Sequence, residues 1–403
     1  MTESDPASPR PAGTPAPDGR RLRVEHDIAA LEPLWRAFER EALVTPYQAY
    51  DWVRPFVETV GRADGMQARF VVVEAADGTI LALLPLAIER RLGASLAAFI
   101  GGKHANYHMG LYRKDFAAAL DDAAAARLFQ AVGALLAVDA LAFVNQPPDW
   151  QGVRNPAARL PGGPSPSRSY KLALIPGDGE ATLRRAMSKH ARKKMTTKHN
   201  RFAEFGPSRL LLAGDAAEIE RVLDAFLLQK AARFAQMGLP DPFAAPAMRA
   251  FFRQAALAGN GQKPVIELHA LELNGGIVAT YVGAVQGGRF SGMATSFDLD
   301  SVAARTSPGE ILLIELIRAK CEEGLTMFDL GVGEARYKTT ICDDSDALVD
   351  SFLPLTAKGR VHAQIGRARR ALKRTIKGSP RLLALVRRVQ ALRTRARPPA
   401  DEA

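Results

Sequence analysis

Between Ser307 and Lys338 the chain reads SPGEILLIELIRAKCEEGLTMFDLGVGEARYK, and much of its candidate chemistry is gathered there. The Ser307-Pro308-Gly309 turn opens a helix whose apolar face is Ile311, Leu312, Ile314, Leu316 and Ile317; Glu315, Arg318, Lys320 and Glu322 are expected outside, and Gly324 ends it. A helix start offers backbone N–H groups that lack intrahelical acceptors, which suits a phosphate or pyrophosphate. Arg305, Thr306, Ser307, Pro308, Gly309 and Glu310 are therefore the candidate anion-binding loop. The apolar run Leu325–Leu330 has the length of a strand and ends in Asp329 and Gly331. Asp329 and Glu334 are candidate general bases, because strand-end and loop carboxylates in a cleft can have raised pKa values. Asp329 can instead hold the Gly331 to Gly333 loop by accepting its N–H groups, and that role is preferred.

Thirteen residues of this block, in order Ser307, Pro308, Gly309, Leu312, Leu313, Gly324, Phe328, Asp329, Gly331, Gly333, Glu334, Tyr337 and Lys338, resemble the CelD-like branch of the GNAT acyltransferases. FemABX aminoacyl transferases carry a similar strand, Gly loop and aromatic-Lys pair. The resemblance implies acyl-coenzyme A, acetyl-CoA in the first instance, as co-substrate. It puts the pyrophosphate at the Gly309 loop and Tyr337 and Lys338 at the mouth of the donor site. Lys338 is then the leading catalytic candidate, a charge near the phosphates or the developing oxyanion. Gly331 and Gly333 join the substrate-binding set. Direct attack of an acceptor on a thioester needs no protein nucleophile. Without the resemblance, the block supports an α/β unit with an anion site.

In the first half, GGKHANYHMG brings His104 and His108 beside a strand end. His108 is a candidate base, its ordinary pKa being near neutrality. CelD-like proteins often have an Asp-Tyr pair here; this chain has Asn106-Tyr107, so no base is carried over to Asn106, and the pair is assigned to substrate binding. Two histidines are too few for a metal site, and none is expected. Cys321 and Cys342 stand alone, outside any C-x-x-C, which argues against disulfide and zinc frameworks.

These residues need a scaffold, and the sequence shows it twice. Helical patterns over 24 to 61 precede RFVVVEAADGTILALLPLAIE, two extended runs joined at Asp77-Gly78; helical patterns over 215 to 259 precede VIELHALELNGGIVATYVGAVQ, joined at Asn274-Gly275. In each half a strand, a helix and a strand follow, at an offset near 190 residues. The expected fold is α/β with mixed α+β sheets, a tandem of GNAT-like units with a basic helical C-terminal tail. The divisions are a disordered leader 1–20, a first unit 21–150, a Pro/Gly-rich loop and strand 151–178, a basic connecting helix 179–205, a second unit with the donor site 206–357, and the tail 358–403. The helix of the first unit is expected to start near Asp115, with no Gly-rich loop before it, so the second unit is preferred for the donor and the cleft between units for the acceptor.

Charge sharpens the division. The chain carries +11; fourteen Lys and Arg fall in residues 351–400 with no acid, and Asp401 and Glu402 follow, so residues 1–350 sum to −1. The tail splits at Gly378-Ser379-Pro380 into two amphipathic patterns, Val361, Ile365, Leu372 and Ile376 lining the first and Leu382, Leu385, Val386, Val389 and Leu392 the second. Packing on the domain is favoured, with peripheral membrane contact through 361–397 next. No run reaches transmembrane length and residues 1–20 lack an apolar signal core, which suggests a cytoplasmic protein, at the inner membrane face if the tail binds lipid. The resulting expectation is an acyltransferase acting on a hydroxyl or amine of a small-molecule or glycan acceptor, in polysaccharide or cell-envelope synthesis. The alternatives are a FemABX-like enzyme using aminoacyl-tRNA, the one case that involves nucleic acid, and a non-catalytic accessory protein of a glycan-synthesis complex.

Overall fold

The computed structural model of the chain describes residues 14–15, 19–258 and 264–378. The leader, apart from its last residues, and the second amphipathic pattern of the tail lie outside the described residues.

The first unit runs β1 (Arg21–Glu25), α1 (Glu32–Glu39), α2 (Tyr50–Phe56), β2 (Gln67–Glu74), β3 (Ile80–Arg91), β4 (Ala94–Phe99), α3 (Asp122–Leu135) and β5 (Ala140–Gln146). A long strand β6 (Gly162–Ala173) and two helices, α4 (Gly179–Ala186) and α5 (Lys189–Ala203), lead to the second unit. That unit repeats the order: β7 (Ser208–Leu212), α6 (Ala216–Met237), α7 (Pro246–Leu257), β8 (Ile266–Leu273), β9 (Gly276–Gln286), β10 (Arg289–Phe297), α8 (Pro308–Glu322) and β11 (Met327–Val332). After it come α9 (Arg336–Ile341), β12 (Asp344–Pro354) and α10 (Ala357–Gly378).

The duplication is complete at the level of pairing. In each unit four successive strands are antiparallel, and the last crossover, over α3 or α8, makes a parallel pair, β4 with β5 and β10 with β11. Both hairpins turn where expected, at Gly78 (φ 85°) and at Asn274-Gly275 (φ 52° and 82°). The pairing order is β1-β2-β3-β4-β5-β12-β6-β11-β10-β9-β8-β7, one continuous sheet. Each unit lends its last strand to the other: β6 follows the first unit but pairs with β11, and β12 follows the second but pairs with β5. Exchange of this kind makes the two units one folding body. Their helices also meet, Trp52 and Phe56 of α2 packing at 5.1 and 5.3 Å ring separation on Phe251 of α7.

Several local readings change. The Pro/Gly-rich segment expected as an exposed loop contains β6; its prolines are tolerated because the pairing with β12 breaks register between Pro164 and Arg168. The basic stretch 179–205 is two helices, with Met187 extended (ψ 137°) and Ser188 capping α5 through Ala191 N–H. The crossover helix of the first unit starts at Asp122, and only a short helical segment, Lys114–Ala119, lies near Asp115. Lys320 is wholly buried rather than outside, its Nζ donating to Glu267 at 2.5 Å and Glu323 at 2.8 Å, because Glu267 of β8 lies beneath that end of α8. On α10 the packed positions are small: Gly359 lies against Asp139, Ala363 is buried and Gly366 meets the Phe352 ring, whereas Val361 is exposed. The apolar stripe expected there is therefore not the packing face at Val361.

Candidate active site

Pairing of β10 with β11 lasts three residues, Arg289 with Met327, Phe290 with Phe328 and Ser291 with Asp329; beyond them the strands separate. A register slip between Val282 and Gly283 bends β10 away at that point. The gap is bridged by a side chain from the other unit. Asn106 Nδ2 donates to Gly292 O (2.8 Å) and to the Tyr47 hydroxyl (2.6 Å), and Asn106 Oδ1 accepts from Val332 N–H (3.2 Å). Gly331 is required beneath it: its φ is 75°, and a Cβ there would stand 2.5 Å from Asn106 Nδ2.

On the same face Asp329 is fully buried. Its Oδ1 accepts from Gly331 N–H at 2.7 Å, and its Oδ2 accepts from Arg289 at 3.0 Å and from Ser291 Oγ at 3.4 Å. Both oxygens are thus engaged, the arrangement of a carboxylate that holds its surroundings. The Arg289 guanidinium lies over the Trp150 ring at 4.5 Å and within 3.4 Å of the Tyr107 hydroxyl. Lys338 is also buried, donating to Gly331 O (3.2 Å) and Val332 O (3.3 Å); burial lowers its pKa and nearby Asp329 opposes this. Burial pushes the Tyr337 hydroxyl up to about 12 and raises those of Tyr47, Tyr107 and Tyr281 as well, so all four are neutral at physiological pH.

The far end of β10 reaches the helix start, since Phe297 is the nearest neighbour of a Cβ placed on Gly309. Ser307 enters α8 in the left-handed region (φ 64°, ψ 61°) and makes no side-chain cap. Thr306 Oγ1 is spent on Ala303 O at 2.6 Å, Pro308 is buried, and Arg305 is exposed. Glu310, the acid of the first turn, pairs with Lys198 of α5 at 2.5 Å, which neutralises the charge that would repel an anion.

Residues 189–339 match the family described as acetyltransferase (GNAT) domain. The chain carries a GNAT domain. The protein is accordingly an acyltransferase, and the expectation of that superfamily holds. No curated protein sequence matches the chain. Among solved structures, FemX is similar over 85% of this chain and 99% of its own, at 10% identity and a TM-score of 0.55. A conserved protein of unknown function from Bacteroides thetaiotaomicron covers 83% and 100%, at 12% and 0.53. The C-terminal domain (DUF2156) of a lysylphosphatidylglycerol synthetase of Agrobacterium fabrum covers 84% and 95%, at 11% and 0.51. At these identities the likeness is one of fold.

Within the GNAT unit, the block read from sequence comes together at the ends of one open strand edge: Gly309 and its loop at one end, Asp329, Gly331 and Lys338 at the other. Tyr337 is half-buried beside them, and Glu334 is exposed at the loop. Asn106 and Tyr107 arrive from the first unit. His108 does not join: it is buried, its ring meets Val144 O at 3.0 Å, and burial lowers its pKa to about 4. Among the described residues no group of three or more His, Cys, Asp or Glu is placed to hold a metal ion. A hollow of about 290 Å³ opens next to Arg289, walled by Tyr107, Trp150 and Gln151 of the first half and by Lys171, Gln286 and Asp346. Arg289 lines that hollow, and its Nε is buried without a hydrogen-bond partner.

Sequence reading missed Arg289, Ser291 and Tyr47. The start of a strand after Gly287-Gly288 marks Arg289 weakly, because a charge opening an apolar strand calls for a partner. Nothing local marks Tyr47, whose role depends on a loop 59 residues away.

Proposed function

We propose that this protein transfers an acyl group, acetyl in the first instance, from acyl-CoA to a hydroxyl or amine of an acceptor bound between the two units, as in the polysaccharide and cell-envelope pathways to which the CelD-like pattern points. One observation carries the reading. The uncapped start of α8 and the Asn106–Asp329–Lys338 cluster lie at opposite ends of the β10 edge from Phe297 to Gly292, about 16 Å at roughly 3.3 Å per residue. The pyrophosphate meets the start of α8 at the Gly309 N–H, since Pro308 has none and those of Glu310 and Ile311 go to Ser307 O, and the thioester arm follows that edge to the cluster. The acceptor enters by the hollow at Arg289. Its oxygen or nitrogen attacks the thioester carbon; the new bond forms, the carbon–sulfur bond breaks, and the acceptor's proton passes to the departing thiolate. Lys338 stabilises the oxyanion, while Asp329 holds the Gly331 loop and Arg289 in place.

Calorimetric titration with CoA and acetyl-CoA tests this. Saturable binding, weakened roughly tenfold or more in Gly309→Asp at unchanged thermal stability, is expected. No binding by the parent protein overturns the reading.

A second reading, transfer from an aminoacyl-tRNA, draws on α5, where Lys189, Lys193, Lys194 and Arg201 are exposed; RNA that copurifies and competes with CoA would favour it. A third, a non-catalytic accessory role, would be favoured by membrane association without coenzyme binding. For membrane contact the support is α10, where exposed Val361 stands beside exposed Lys358 and Arg360, and no described helix is long and apolar enough to cross a membrane. Liposome binding that survives deletion of 361–403 would remove that proposal.

A further inference from the structure

With only the Gly309 N–H free at its start, α8 does not by itself satisfy a donor that carries a pyrophosphate and, on its adenosine, a 3′-phosphate. Further cations have to reach that donor. The basic helix α5 touches the start of α8, where Lys198 pairs with Glu310.

A groove of about 400 Å³ runs along α8 beside that contact, walled by α4 and α5. Its size is that of a small-molecule site. The floor is apolar: Leu183, Met187, Ile311 and Ile314 are buried there and Met195 is half-buried. The two acids of the groove are already engaged. Arg318 pairs with Glu180 at 2.7 Å and with Glu315 at 2.7 Å, and the exposed His199 ring lies 3.8 Å from Glu315.

Two arginines of the wall, Arg184 and Arg192, have no carboxylate partner among the described residues. Arg184 is exposed; Arg192 is half-buried and is the informative one. The chain leaves α4 at Met187, so the last carbonyls of that helix lack intrahelical partners. Arg192 Nη1 donates to two of them, Arg184 O at 3.0 Å and Met187 O at 2.7 Å, which fixes the plane of the guanidinium. Its Nε and Nη2 have no partner among the described residues, and neither is sealed from solvent. A guanidinium held by one nitrogen, with its other edge free, is set for two-point contact with a phosphate. Six residues separate Arg192 from Lys198, about 9 Å along the helix, a span that one nucleotide and the length of the arginine can close.

We infer that this groove holds the adenosine 3′-phosphate end of the acyl-CoA donor: the adenine lies on Met187, Met195 and Ile314, and the 3′-phosphate takes the free edge of Arg192 with Arg184 beside it. The inference rests on the donor reading above and adds a specificity to it, for the phosphorylated nucleotide over the same thiol without that phosphate. The basic stretch between the units then has a defined task in place of a general charge.

The test is calorimetric titration of the full chain with CoA and with 3′-dephospho-CoA. CoA is expected to bind roughly tenfold or more tightly, as hydrogen bonds to a charged group would give. In Arg192→Gln that ratio should fall close to unity while the affinity for 3′-dephospho-CoA stays as in the parent, which also shows that the variant is folded. Arg184→Glu, at an exposed position, gives Arg192 a carboxylate and should lower the ratio too. Equal binding of the two coenzymes by the parent, or a ratio that both variants leave intact, overturns the inference while the donor reading stands. Failure of the parent to bind either one overturns both. RNA that copurifies and is lost in Arg192→Gln, with the two coenzymes bound alike, overturns the inference in favour of the aminoacyl-tRNA reading.

Discussion

The two units share one pairing scheme, yet their crossover helices begin in opposite ways. In the first unit Asp121 caps α3, its Oδ1 accepting from Ala124 N–H at 2.6 Å. In the second, Ser307 enters α8 left-handed with no side-chain cap, and the acid of the first turn is neutralised by Lys198. One helix start places a carboxylate on its N–H groups; the other has none at Pro308, turns those of Glu310 and Ile311 onto Ser307 O, and leaves only that of Gly309 for something else. The strand ends differ likewise. Where β11 presents Asp329 and Gly331, the half-exposed side of β5 presents Ala142 and Val144. Duplication has preserved the frame and divided the work: the second unit holds the polar machinery, and the first supplies Asn106, Tyr107 and Tyr47 across the seam.

The sharpest way to break this contrast is at Asp329. Asp329→Ala strands Arg289 in the interior and frees the Gly331 N–H, and should cost about 3–5 kcal/mol in thermal or denaturant unfolding; a change near zero would mean that the second unit is not organised around that carboxylate. Next comes Lys338→Ala, expected to lower kcat by roughly 10²-fold with a much smaller change in acetyl-CoA affinity. Equal losses in both would make Lys338 a donor-binding group instead. Asn106→Ala removes three hydrogen bonds, two of which join the units, and should cost about 2–3 kcal/mol, with turnover falling although no donor contact is touched. Asp121→Ala should cost only about 1 kcal/mol and leave one acetyl-CoA bound per chain. A stoichiometry of two would show that the cap alone silences the first unit.

The remaining effect is one of pH. Glu39, in the first unit, has its carboxyl raised to about 7 by burial, against the Tyr50 N–H that it accepts. A folded-state pKa above the unfolded value means that the native state binds the extra proton; stability is full below about pH 4.3 and falls as pH rises towards 7. Glu39→Gln should therefore be near neutral in effect at pH 4 and raise Tm at pH 8.

Much of this was legible in the chain. Hairpin turns at Asp77-Gly78 and Asn274-Gly275, the helix after Gly309 and the strand ending at Asp329 are local matters, where periodicity and turn chemistry act within a few residues. The charge split that isolates the tail is arithmetic on the sequence, and so is the 190-residue repeat.

Tertiary structure decided the rest. No periodicity distinguishes a lysine that faces water from Lys320, whose position under Glu267 depends on which strand lies beneath the helix. A Pro-rich segment reads as loop until β12 pairs with it and leaves the prolines at a break in register. His108 turns to Val144 O in the first unit while Asn106, two residues earlier, turns to Gly292 and Val332 of the second, because side-chain direction is set by packing and not by proximity in sequence. Strand exchange made the seam, and with it the cluster in which Asn106 of one unit bridges β10 and β11 of the other. Sequence determined the two frames and the helix start that could hold an anion; long-range pairing, whose partners lie more than 180 residues apart, determined what stands opposite them.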